Sequence, residues 1–497
     1  MTESYGQILR SSSIVGFAQA INYLIALVRM KVVAVLIGPA GVGLMGVYVS
    51  ATSLIGVVAG LGIQSSAVRA ISLADAKKDS LVIARTVRIL RRLVWATGAL
   101  AWLVSVLVAW PLSRWIFGSA SHAWALSILG LGLLLTAISN GQLALLQGLR
   151  RIGDIARAQV AAALTNAAVS VAIFAALGER GVVPALLASS SISLAASWWF
   201  ARRVRLVHID LAWNEMIADA KPLVRLGIAM MWSGALSTLL DIYIRAFISR
   251  ELGLHAAGIY QAAWALSGLF AGFLLTAMGA DFYPRLTSVI HEKARACRLV
   301  NEQTEIGVLL AVPGLLVTLA VSDLIIRLLY TKDFLPAAEV LTWFVLGVFG
   351  RVVSWPMGYI IIAKGSISWL IVSEMTLLLV QAAFASWLIP RAGVVGAAYA
   401  FAAAYALHLT LMRFVGGRLI GFTWSRVTRS LLLRSLGLIG LAMCSKFLLA
   451  EAAQAMVGCL LAAVGSLLCL RGLAERLDAD HRLQRLFRFL PFVGRRQ

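Results

Sequence analysis

Apolar residues in this chain arrive in long uninterrupted runs, with little of the alternation that marks a half-buried strand. Fourteen runs are distinguishable: 14–37, 42–64, 93–113, 125–147, 158–178, 182–200, 228–249, 257–280, 306–329, 337–362, 368–389, 394–412, 431–449 and 452–470. Each holds about 20 residues, the length that an α-helix rising 1.5 Å per residue needs to cross a hydrocarbon core of about 30 Å. In lipid every backbone N–H and C=O must be satisfied within the segment, which makes helices the solution for such runs. The pattern predicts an all-α integral membrane protein of about fourteen transmembrane helices. Segments joining alternate runs are short, whereas 65–92, 201–227 and 281–305 are long and polar.

The runs carry an internal echo. Ile37-Gly38-Pro39-Ala40-Gly41-Val42-Gly43-Leu44 returns 215 positions later as Leu252-Gly253-Leu254-His255-Ala256-Ala257-Gly258-Ile259. Leu146-Gln147-Gly148 is echoed 217 positions on by Ala363-Lys364-Gly365, and Gly181-Val182-Val183-Pro184-Ala185 is echoed 212 positions on by Gly393-Val394-Val395-Gly396-Ala397. Nearly constant offsets imply two homologous six-helix halves, a plan on which many secondary transporters are built. The boundaries that follow are a first lobe at 1–205, a cytoplasmic linker at 206–227, a second lobe at 228–415, an additional helix pair at 416–471 and a basic amphipathic cytoplasmic tail at 472–497.

Composition agrees: 61% of residues are hydrophobic and 13% charged, where soluble domains carry about 25% charged residues. The net charge of +22 reads as topology and calls for no nucleic-acid partner. With the N-terminus inside, 32 of the 44 Lys and Arg fall on cytoplasmic ends and loops, 5 on the opposite side and 7 within spans. That asymmetry is the positive-inside rule, and an even number of spans puts both termini in the cytoplasm. Ala18-Gln19-Ala20 has only a short apolar run before it and the segment stays apolar to Ile37, so an uncleaved first helix is expected. Cys297, Cys444, Cys459 and Cys469 have no spacing that implies a disulfide or a metal.

The chemistry lies in polar groups at membrane depth, where an ionised side chain costs roughly 2.5–3.5 kcal/mol or more. Asn22 and Arg29 share a stripe of the first span with Gln19, and Arg29 lies about fifteen residues in. Ser237, Asp241 and Arg245 repeat at four-residue spacing on the equivalent span of the second half. Arg351 is mid-span with Gly347, Ser354 and Gly358 on its face, Asn140 follows Thr136, and Glu374 precedes Gln381. The candidate substrate-binding set is Arg29, Arg245, Arg351, Asn22 and Asn140, with Asp241 and Glu374 as candidate coupling carboxylates. Asp241 and Arg245 either neutralise each other or couple transport to an ion; the amides either join helices or touch a ligand. Lys31 and Lys446, near span ends, are expected to snorkel to the interface. Arginines in a polar cavity favour an anionic guest, and the planar guanidinium matches phosphate with two hydrogen bonds.

No Gly-Lys-Ser/Thr occurs, which excludes a P-loop ATPase, and no carboxylate pair is placed for acid–base work. Catalytic residues, metal ligands and cofactors are expected to be none. A periplasm-facing polysaccharide polymerase or ligase is the rival from another class, and the short outer loops argue against it.

Several segments are familiar in order. Lys31-Val32-Val33-Ala34-Val35-Leu36-Ile37-Gly38-Pro39-Ala40-Gly41-Val42-Gly43-Leu44 and Gln147-Gly148-Leu149-Arg150-Arg151-Ile152-Gly153-Asp154 resemble Wzx-type polysaccharide flippases of the multidrug/oligosaccharidyl-lipid/polysaccharide exporter superfamily. So do Ala257-Gly258-Ile259-Tyr260-Gln261-Ala262-Ala263-Trp264, Asp281-Phe282-Tyr283-Pro284-Arg285-Leu286 and Asn301-Glu302-Gln303-Thr304-Glu305. The resemblance spans about 10–415. It implies two pseudo-symmetric six-helix lobes around a central cavity in the bacterial inner membrane. It implies a cargo of undecaprenyl-pyrophosphate-linked oligosaccharide, as for O-antigen, moved from the cytoplasmic to the periplasmic leaflet without an ATPase. Partners would be that lipid-linked cargo, membrane lipids, and a polysaccharide polymerase with its chain-length regulator. The pair at 431–470 departs from the twelve-span pattern and is shared with lipid II flippases, which keeps a peptidoglycan-precursor role open. A multidrug exporter of the same superfamily would be expected to line its cavity with acidic residues.

Overall fold

Two glycines decide where the longest helices break. The computed structural model describes residues 2–77, 79–207 and 213–476. In α1 (Thr2–Gly60) the helical backbone is interrupted at Gly38, with φ 60 and ψ −173, and in α7 (Trp213–Val289) at Gly253, with φ 85 and ψ 173. That conformation is essentially restricted to glycine. Between these lie α2 (Ile63–Ala76), α3 (Ser80–Phe117), α4 (Ala123–Gly148), α5 (Ile152–Leu177) and α6 (Val182–Ala201). After α7 follow α8 (Lys293–Leu329), α9 (Pro336–Ala363), α10 (Ile367–Ala392), α11 (Val395–Ile420), α12 (Arg426–Leu448) and α13 (Glu451–Ala474). No strand occurs among the described residues.

The internal repeat is more regular than its sequence echoes suggest. Gly38 and Gly253, Arg150 and Gly365, and Gly178 and Gly393 all have positive φ, and each pair is separated by 215 positions. α5 and α10 coincide end to end in this register. The offsets of 217 and 212 read from sequence are thereby corrected to one constant value. The true counterpart of Gly365 (φ 65) is Arg150 (φ 53), a residue that few would align with glycine.

Ten helices among the described residues are long and apolar enough to span a membrane, or eleven if one bent pair within α7 counts as a span. The sequence has four more runs than this: Gln19–Gly60 and Ile152–Ala201 are each counted once although a glycine break divides each, and the α7 runs 228–249 and 257–280 are not among the ten. This is a multi-pass membrane protein.

The described residues form two compact units divided between Gly258 and Ile259, with Leu329–Thr331 belonging to the first. In the first, α2 buries Ile63, Ala67, Ile71 and Ala74 along one stripe, against Val87 and Leu90 of α3 and Leu145 of α4. Hydropathy leaves this short helix in a loop because its other face is polar. α3 and α8 begin 13 residues before their apolar runs, at Ser80 and Lys293; Asp79 caps α3 by accepting from the N–H groups of Leu81 (3.1 Å) and Val82 (3.0 Å).

In the second unit, Phe282, Leu286, Val300, Met357, Ile360 and Phe422 pack α7, α8 and α9 around the α11–α12 turn. The additional helix pair is tied to α8 by polar groups at two levels. Thr428 of α12 donates to Glu305 Oε1 (2.7 Å) with Asn301 Oδ1 also close to its hydroxyl (2.9 Å), and Arg476 Nε donates to Glu305 Oε2 (2.9 Å). Towards the far end of α12, Lys446 pairs with Asp323 (3.2 Å) and donates to Ser322. Lys446 therefore does not snorkel: its side chain is 11% exposed and is held by α8. Lys31 likewise turns to the carbonyl of Tyr330. Of the predicted amphipathic tail, the part after Arg476 lies outside the described residues.

Candidate functional site

The first unit encloses a cleft of about 520 Å³, walled by the second half of α1, by the start of α2, by α3, α4 and α6, and by Met231 and Gly234 of α7. The volume falls within the roughly 300–1,000 Å³ of small-molecule sites. Small residues keep it open, Gly56, Gly132 and Gly141 among them. A Cβ on Gly132 would stand 3.2 Å from Ser190 Oγ, so a side chain there would press against α6.

Apolar side chains such as Val49, Leu129, Leu133 and Leu186 make up much of the lining, and its polar groups are uncharged. Hydroxyls come from Thr52, Thr97, Thr136, Ser189 and Ser190, amides from Gln64 and Asn140, and no ionisable side chain takes part. Thr52 donates to the carbonyl of Tyr48 (2.8 Å) and Thr97 to that of Leu93 (2.8 Å), each one turn back. Thr136 donates across to Ser190 Oγ (3.3 Å), and Asn166 Nδ2 donates to Ser189 Oγ (2.6 Å). Asn140 is half-buried and bonds to no group among the described residues, so its donors and acceptor are available to a guest.

The other sequence-derived candidates are dispersed. Asn22 and Arg29 lie on the first half of α1 and do not line the cleft. Asn22 Oδ1 is buried without a hydrogen-bond partner among the described residues. Arg29 is half-buried, with neither an ion pair nor a hydrogen bond there. Arg245 is buried and paired with Asp241 one turn earlier, and it also donates to the Asp241 carbonyl (3.3 Å). Its guanidinium serves that carboxylate, so neither residue presents an isolated charge. Arg351 sits on α9, and its charge acts on the buried hydroxyl of Tyr405 on α11. Glu374 lies on α10 with Oε2 screened from solvent. The structure thus brings together Asp241 with Arg245 and places Asn140 in a cleft that the sequence alone does not reveal.

No group of three or more His, Cys, Asp or Glu among the described residues could hold a metal ion. The four cysteines are free.

Residues 32–339 match the family described as polysaccharide biosynthesis protein. The chain belongs to that family. Among its relatives is the lipid III flippase of Escherichia coli (strain K12), 24% identical over 384 residues that cover 77% of this chain and 91% of the relative. The lipid III flippase of Shigella flexneri matches equally. Among solved structures, the lipid II flippase MurJ in an inward closed conformation superposes with a TM-score of 0.67 at 14% identity, covering 94% of this chain and 99% of that one. An inward-facing multidrug resistance MATE family transporter of the MOP superfamily gives 0.64 at 14% identity, covering 80% and 95%. The fold of this family member is therefore that of MOP-superfamily transporters, and its relatives are flippases and transporters, not enzymes.

Proposed function

We propose that this protein translocates undecaprenyl-pyrophosphate-linked oligosaccharide from the cytoplasmic to the periplasmic leaflet of the bacterial inner membrane, for an O-antigen-like surface polysaccharide. The observation that carries the proposal is Arg29, a half-buried guanidinium inside an apolar helix with no partner among the described residues. Such a charge is costly at membrane depth unless a guest supplies the anion, and a pyrophosphate suits its planar fork. Asn22, two turns back, adds a buried carbonyl oxygen in search of a donor. The lipid III flippase relatives and the family match support the same reading.

The proposal carries a topology of fourteen spans with both termini cytoplasmic, and alternating access without an ATPase. A polysaccharide polymerase and its chain-length regulator would consume the product outside. Asp241 and Glu374 remain candidates for coupling. The second reading, a peptidoglycan-precursor flippase, is favoured by the extent of the likeness, since the lipid II flippase fold covers 94% of the chain, more than the part before α12.

The test is flipping by the purified protein in proteoliposomes, offering a polyprenyl pyrophosphate bearing either a neutral oligosaccharide or a peptide-bearing disaccharide. Arg29→Ala should abolish movement of the preferred lipid, and Arg29→Lys should restore little of it if bidentate contact matters. Full activity in Arg29→Ala would remove the anchoring role.

A further inference from the structure

The constant offset of 215 positions allows the cleft of the first unit to be compared, position by position, with the same place in the second. Val49, Leu129 and Leu186 of the lining correspond to Trp264, Phe344 and Phe401. Those three rings pack on one another, with centroids 5.5 Å apart for Trp264–Phe344, 5.5 Å for Trp264–Phe401 and 5.4 Å for Phe344–Phe401. Phe344 is 0% and Phe401 3% exposed. The hydroxyl pair Thr136–Ser190 corresponds to Arg351 and Tyr405, and the open amide of Asn140 to Trp355. One half of the duplication has kept a roomy neutral recess. In the other, larger side chains, five of them aromatic, stand at these six positions.

We infer that the recess in the first unit is a binding subsite for the uncharged sugar residues of the cargo, and that the aromatic side chains withhold such a subsite from the second unit. This rests on the flippase reading and adds to it a place for the saccharide, separate from the arginine assigned to the pyrophosphate. The chemistry of the walls is the reason. The hydroxyls and amides set among the apolar walls can exchange hydrogen bonds with sugar hydroxyls as both donor and acceptor. With no ionisable group in the lining, a charged guest would be buried without compensation. An apolar guest would leave the Asn140 amide desolvated and unpaired, a loss that polar sites exploit to reject ligands lacking the matching group.

The experiment imports the second unit's own side chains into the first. Leu129→Phe combined with Leu186→Phe should fill the recess, and Asn140→Leu removes hydrogen bonds at nearly constant volume, which guards against a filled variant that fails to fold. Two readouts are taken on the full chain. One is binding of a free neutral trisaccharide to detergent-solubilised protein. The other is flipping, in proteoliposomes, of polyprenyl pyrophosphate carrying either that trisaccharide or a single neutral sugar. Wild type should bind the free trisaccharide, and both variants should weaken this at least tenfold. The variants should slow the trisaccharide lipid at least tenfold, and by a larger factor than they slow the single-sugar lipid. Trisaccharide binding that is absent in wild type, or equal in wild type and Asn140→Leu, overturns the subsite. So does equal slowing of both lipids. Wild type that binds the trisaccharide at the recess yet flips neither lipid sinks the flippase reading and leaves the subsite standing.

Discussion

A side chain on Gly258 would run into the carbonyl oxygen of Pro39, and one on Gly43 into that of Leu254. The two contacts are reciprocal: each glycine stands 215 positions from the other, as does each carbonyl-bearing residue. Backbone therefore meets backbone where the Gly38 and Gly253 breaks approach each other, with a Cβ on Gly43 only 2.6 Å from the amide nitrogen of Gly258. Gly258→Ala or Gly43→Ala should lower stability by about 3 kcal/mol, at the top of the overpacking range because backbone cannot step aside. Gly437→Ala, in α12 with nothing within 4 Å, should be neutral or slightly stabilising. Thermal midpoints in detergent report the difference, and unaltered melting of Gly258→Ala would contradict the close approach.

The Asp241–Arg245 pair should behave as a unit. Asp241→Asn takes the carboxylate from a guanidinium whose side chain is 7% exposed, and Arg245→Gln leaves the carboxylate without its cation. Each single change should reduce the amount of folded protein in the membrane, and the double change Asp241→Asn with Arg245→Gln should recover most of it. If the double variant flips normally and still responds to a proton gradient, Asp241 has no part in coupling. If folded protein recovers but gradient dependence is gone, it has one.

His122, in the turn before α4, stacks on Phe117 with centroids 4.0 Å apart and shares a hydrogen bond of 2.6 Å between Nδ1 and the Tyr48 hydroxyl. Burial holds its pKa below the ordinary 6.5. The unfolded chain then binds the proton at a higher pH than the folded one, so stability falls as pH drops from about 6.5 towards the lowered folded value. Melting midpoints of wild type should decline over that window. In His122→Asn, which keeps an acceptor without a titrating ring, the decline should be smaller; an identical pH profile in the two proteins would rule out this residue as a contributor.

Glu305 is 8% exposed and holds Thr428 and Arg476 together. Arg476→Ala should destabilise by about 2 kcal/mol, less than the 3–5 kcal/mol of a fully buried pair because Arg476 is itself 27% exposed. Glu305→Gln, which retains a hydrogen-bonding side chain, should lose less. The order of the two melting midpoints checks the assignment, and the reverse order would mean that the carboxylate does not depend on Arg476.

Much of the helical layout was legible because hydropathy marks the hydrocarbon crossing. The run 125–147 became Ala123–Gly148, and 368–389 became Ile367–Ala392. What hydropathy does not mark is helix outside the hydrocarbon, hence the unforeseen α2 and the basic N-terminal stretches of α3 and α8. The repeat was visible at Gly38 and Gly253 but misregistered elsewhere, because matching glycines by identity hid the shared left-handed backbone of Arg150 and Gly365. The Asp241–Arg245 pair could be anticipated from its four-residue spacing. The partner of Lys446 could not, since Asp323 is 123 positions away. The recess around Asn140 needed six helices in place, although one signal was there to be read: aliphatic Val49, Leu129 and Leu186 correspond to aromatic residues 215 positions on.

An unvarying register from Gly38 to Gly178 and from Gly253 to Gly393 means that no net residue has been gained or lost in either stretch relative to the other. A single inserted residue within a helix turns everything beyond it by about 100°, sending the lipid-facing stripe inward and the packed glycines outward. Point changes leave that geometry intact, and they are the kind by which the two copies differ most plainly: Leu129 against Phe344, Thr136 against Arg351. Length is thus the conserved quantity of this duplication and side-chain bulk the variable one. Insertion scanning should find these helices intolerant at almost every position while the same positions accept wide substitution.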